Sequence, residues 1–115
     1  MALNDIERKR IEKMVDAFVQ KRRPPGYVRP QLDVGFRVTG QSVEIFQIRP
    51  RWNKPDEKIE ESVAKATLVR GKSRWKILWK RADLKWHSYE PVPEVDSLDE
   101  FLAVVEKDEC SCFWG

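Results

Sequence analysis

Histidine occurs once and cysteine twice in the 115 residues of the chain. A structural zinc site takes about four ligands, drawn mostly from those two residue types. Long apolar stretches are also missing. The longest run is Phe101 to Val105, against the ~20 residues needed to span a bilayer. Met1 to Arg10 is charged rather than apolar, which is not the pattern of a secretory leader. No Walker loop, Rossmann fingerprint, Ser-His-Asp order or paired-carboxylate motif occurs. Glu60-Glu61 is a carboxylate pair, but neighbours on a strand point to opposite faces. These gaps argue against an enzyme. No catalytic residue, cofactor or membrane contact is expected, and two cysteines in a chain without a leader fit a reducing cytoplasm.

What is present fits one globular domain over residues 1–115. Charged residues make up 36% and hydrophobic residues 41%, with five Trp, five Phe and two Tyr. That aromatic count opposes a disordered polyelectrolyte. The net charge of +3 conceals an asymmetry. Residues 1–87 sum to +10, and residues 88–115 to −7.

Asn4 and Glu7 form a capping-box pattern ahead of a first helix. Ile11, Met14, Val15 and Phe18 make its apolar stripe, widened by Ile6 and Val19. Pro24 ends it near Arg22, and Lys21 to Gly26 reads as a basic connector. Leu32, Val34, Phe36 and Val38 then alternate with polar residues, which is a strand with one wet face. Gly40-Gln41 suits a type II′ hairpin turn. A return strand runs from about Ser42 to Ile48, and its change of parity suggests a bulge or burial on both faces. Asn53 to Asp56 reads as a loop, and a third strand is placed from about Ser62 to Val69. Trp75, Ile77 and Trp79 mark a fourth strand, interrupted at Arg81-Ala82-Asp83. Leu84 to Glu90 continues as an edge segment until Pro91 and Pro93 end the sheet. Ser97 and Glu100 cap a second helix with the stripe Leu98, Phe101, Leu102, Val105. The expected fold is α+β: helix, antiparallel sheet of about four strands, helix, with both helices on one sheet face. A basic first helix and an acidic second one can lie side by side without repulsion.

Trp75-Lys-Ile-Leu-Trp79-Lys-Arg81-Ala-Asp83-Leu-Lys85-Trp86-His87-Ser-Tyr89, with Arg49-Pro50-Arg51-Trp52 and Cys112-Phe113-Trp114-Gly115, resembles a bacterial family known as domain of unknown function 3024. The resemblance covers most of the chain. It implies a stand-alone cytoplasmic bacterial protein of about this size. It brings no activity, cofactor or functional residue to carry over.

Two clusters could carry chemistry. Arg49, Arg51 and Trp52 end one strand, while Arg81, Lys85, His87 and Tyr89 follow another. If those strands pair, guanidinium forks could hold phosphate or carboxylate, and an indole could stack on a base. The expected function is therefore a module that binds an anionic ligand or nucleic acid at an Arg/Trp-rich sheet edge. The plainer reading puts the tryptophans in the core and makes Arg81–Asp83 a structural ion pair. The buried area that aromatics supply favours it. Parity places Trp75, Trp79 and Trp86 in the core and turns Lys85, His87 and Tyr89 the other way; Trp52, beside a loop, is expected to be partly exposed. Cys110, Cys112 and His87 are weak metal candidates, with Asp108 or Glu109 as a fourth ligand, because only one imperfect half of a Cys-x2-Cys pattern is present. Phe113 and Trp114 read as an aromatic anchor for the tail. The alternative function is a protein-interaction or structural module, including a homodimer through an open edge strand.

Overall fold

The computed structural model describes residues 4–69, 71, 74–108 and 113–114. Its elements run α1 (Asp5–Arg22), β1 (Asp33–Thr39), β2 (Ser42–Arg51), β3 (Lys54–Val69), β4 (Arg74–Lys80), β5 (Trp86–Ser88), β6 (Glu94–Val95) and α2 (Leu98–Lys107). The strands form one antiparallel sheet in the order β1-β2-β3-β4-β5, with β6 pairing beside β4. Six strands thus replace the four expected. The two added are β5, which lies within the expected edge segment Leu84 to Glu90, and the short β6, which forms just past Pro93.

Local chemistry sets the helix boundaries. Asn4 and Glu7 make both bonds of a capping box, which satisfies amide groups that the first turn leaves without partners. Ser97 accepts from the Glu100 amide at the start of α2. Asp108 ends α2 in the left-handed conformation. Gly40 has φ +59°, and Gln41 is not among the positive-φ residues, as a II′ turn requires.

Sheet parity and the core agree. Val34 and Val38 of β1, Val43 and Ile45 of β2, Ala64 and Ala66 of β3 and Ile77 of β4 face inward. They share one core with Ile11, Val15 and Val19 of α1 and Phe101, Leu102 and Val105 of α2. Ile6, expected on the stripe, is exposed instead. It lies five residues before Ile11, about 140° round the helix from the buried stripe. The opposite-charge match between helices takes a specific form, Arg22 Nη1 to Glu106 Oε2 at 3.2 Å.

The parity change in β2 is burial on both faces: its register with β1 is unbroken, so Val43 and Ile45 face inward and Phe46 takes the outer face by ordinary alternation. Phe46 is buried there over Gly35 and beneath the Arg37 guanidinium, 4.5 Å from its ring centroid. The bulge lies on the neighbouring strand, where Ile45 pairs Ala64 and Phe46 pairs Ser62, so Val63 is the extra residue on β3. Of the expected loop at residues 53–56, residues 54–56 are strand. β2 turns directly into β3 at Trp52-Asn53, and Arg51 pairs Lys54. Pro55 falls where the register shifts, so its missing amide breaks no ladder bond.

Residues 113 and 114 are held in three ways. Phe113 is 6% exposed, and its ring centroid lies 4.8 Å from that of Tyr89. The Asp108 carboxylate accepts from the amides of Phe113 and Trp114 at 3.1 and 3.0 Å. The Trp114 indole donates to the Val105 carbonyl at 2.9 Å, pairing an oxygen that the helix end leaves free.

Candidate functional site

The two halves of the expected Arg/Trp edge sit on different strands, with β3 between them. Arg49 pairs Ile59 and Trp79 pairs Ala64, five residues apart along β3 or about 16 Å of strand. Each arginine of β2 also has local partners. Arg49 lies 2.6 Å from Gln47 Oε1 and 3.5 Å from Glu61. Arg51 lies 3.1 Å from Glu57. Trp52, at the tip of the β2–β3 arm, is 92% exposed.

The second half reorganises at Leu84. This residue has φ +63° and is exposed, in a turn closed by Leu84 N–H to Arg81 O at 2.8 Å. Parity counted from Leu84 therefore assigns the following residues to the wrong faces. Tyr89 is a core residue, 2% exposed, and its amide bonds Ile77 O. That corrects its placement among ligand-facing side chains. Trp86, expected in the core, lies on the outer face opposite Lys80. His87 pairs with Trp79 on the inner side, and its Nε2 is 2.8 Å from Asp83 Oδ2. The Lys85 amide and His87 together hold the Asp83 carboxyl below its ordinary range. Arg81 leans over Trp79 at 5.6 Å rather than pairing with Asp83. Lys85 is exposed in the turn. Among the described residues no group of three or more His, Cys, Asp or Glu side chains could hold a metal ion. Cys110, Cys112 and Glu109 lie outside the described residues.

The register assembles a different cluster on the outer face. Lys65 pairs Leu78, which pairs Ser88. Thr67 pairs Lys76, and Lys80 pairs Trp86. Three lysines and one tryptophan from β3, β4 and β5 therefore share this surface. The Trp86 ring is half-buried, with Lys65 Nζ at 5.5 Å and Lys80 Nζ at 5.6 Å from its centroid. Both distances are within cation–π reach. Two ammonium groups so placed are at most about 11 Å apart, a repulsion of at least about 0.4 kcal/mol in water before screening.

Charge divides the outer face in two. On β1, β2 and the first half of β3, Arg37 pairs with Glu44 and Glu60, and Ser62 donates to Glu44 at 2.6 Å. That half is neutralised. On β3 to β5, Lys65, Lys76 and Lys80 have no ion-pair partner among the described residues, although Glu44 stands opposite Lys65 and Glu94 opposite Lys76. Lys76 and Lys80 were visible in sequence as the polar half of the alternation with Trp75, Ile77 and Trp79. Lys65 and Trp86 join them only through register.

Fold and surface define the class: a small α+β module whose antiparallel sheet carries helices on one face and leaves the other open. The chain belongs to the family described as Domain of unknown function (DUF3024), whose sequence model matches residues 3–115. Searches of curated proteins and of solved structures give no match. Among the described residues no helix is long and apolar enough to cross a membrane.

Proposed function

We propose that the protein is a binding module for single-stranded nucleic acid, seated on the outer face of β3, β4 and β5. The observation that carries this reading is the Trp86 ring flanked by Lys65 and Lys80, neither of which forms an ion pair among the described residues. An aromatic face among lysines on an open sheet suits a strand with unstacked bases. The ring stacks on a base while the ammonium groups meet phosphates. The anionic partner expected from the sequence is kept. Its seat moves from the Arg49–Trp52 edge, where Glu57 and Glu61 already occupy the guanidinium groups. Fluorescence anisotropy with a labelled oligonucleotide tests this. Three lysine–phosphate contacts give a log–log salt slope of about −2 on a single strand. The variant K65A/K76A/K80A flattens that slope, and Trp86→Ala weakens binding by about 1–3 kcal/mol. Binding that is absent at low salt, or indifferent to all four substitutions, refutes the proposal.

A second reading, a protein-interaction module or homodimer, is favoured by the exposed Trp52 at the arm tip. Light scattering on the wild type and on Trp52→Ala tests it. A concentration-dependent dimer that Trp52→Ala dissociates supports it, and a monomer throughout removes it.

A further inference from the structure

On the helix side of the sheet lies a cleft of about 700 Å³, inside the size range of small-molecule sites. Phe18, Leu32, Leu102 and Trp114 give it mostly apolar walls. Lys21 and Arg22, in the last turn of α1, stand at its rim. The Arg22 guanidinium is held 4.0 Å over the Trp114 ring. One of its nitrogens reaches Glu106 at 3.2 Å, and its other N–H groups have no hydrogen bond among the described residues. Lys21 has no ion-pair partner among the described residues. Arg23 does not share this role, because both arms of its fork are spent on Asp33 at 2.8 Å each. The cleft thus combines apolar walls with two cations against one carboxylate, a surplus of one positive charge at the rim.

We propose that this cleft binds a small organic monoanion with an apolar body. The body lies against Phe18, Leu102 and Trp114, and the acid head meets Lys21 and the free N–H groups of Arg22. The chemistry excludes a cation, which would face two like charges. It also disfavours a fully polar anion, which would leave the aromatic walls in contact with its hydration shell. The site is on the opposite side of the sheet from the lysine face, and its occupation does not depend on that surface.

The test uses the full chain and the dye anilinonaphthalene sulfonate, an aromatic anion whose fluorescence rises on leaving water. Saturable enhancement is expected, reversed by decanoate but not by decyltrimethylammonium. Ala103 is exposed and lines the cleft, so Ala103→Trp fills it and abolishes binding. Lys21→Glu weakens binding about tenfold or more by removing one charged contact. The indole N–H resonance of Trp114 in the wild type gives a readout that needs no variant. It shifts with decanoate. No saturation up to about 1 mM dye, equal displacement by the cation, or a still Trp114 resonance overturns the proposal.

Discussion

Replacing Phe113 with Ala probes how far the last residues of the chain hold the domain together. The ring is 6% exposed and packs at 4.8 Å on Tyr89, itself 2% exposed. Burial of this kind makes Phe→Ala cost 3–5 kcal/mol in typical cores. The lower end applies here, about 3 kcal/mol, because a site near the chain end can relax and Asp108 still holds the two amides. A chain of this length has roughly 6–17 kcal/mol of total stability, so the loss is a large fraction. It corresponds to a fall of roughly 10–15 °C in Tm. Thermal melts followed by circular dichroism measure it, with Phe113→Leu as the variant that keeps most of the apolar area. A fall below about 3 °C for Phe113→Ala would show that the tail merely rests on the body.

Three further outcomes follow from named contacts. The Arg23 fork, then the Val34 amide, hold the Asp33 carboxyl below the ordinary carboxylate range. Its contribution to stability is therefore full above about pH 4, the unfolded value, and is lost as pH falls through the lower folded pKa. Acid titrations of wild type and Asp33→Asn should diverge above pH 4 and converge below it, and parallel curves would contradict the pairing. A Cβ on Gly35 would sit 3.0 Å from Phe46 Cε1, so Gly35→Val should cost about 1–3 kcal/mol despite the strand preference of valine. Urea melts of Gly35→Val with and without Phe46→Ala should give strongly non-additive losses. Gly40 has φ +59°, and Gly40→Val should destabilise the β1–β2 hairpin by about 1–2 kcal/mol in the same assay.

Local signals were legible before the fold was known. Asn4 with Glu7, Ser97 with Glu100 and Gly40 with Gln41 each act within four residues, and each forms the cap or turn that its chemistry demands. The Phe113–Trp114 anchor was legible for a similar reason, since two large aromatics at a polar chain end have few other uses. The β2–β3 arm was not. Its residues from Lys54 to Lys58 are exposed on both faces, so they carry no alternation from which a strand could be read. Leu84 misled because a left-handed turn residue breaks the parity count that places Trp86, His87 and Tyr89. The lysine face was half legible. Lys76 and Lys80 alternate with core residues, whereas Lys65 reaches Trp86 only through two strand pairings.

Residue-resolved NMR during titration with a short unstructured oligonucleotide at low salt tests the proposed seating of a single-stranded nucleic acid on the open face of β3 to β5. The Trp86 indole and the amides of Lys65, Lys76, Leu78, Lys80 and Ser88 should move together, and the movements should vanish as salt is raised. Shifts confined to Arg49, Arg51 and Trp52, or no shifts at all, would contradict it.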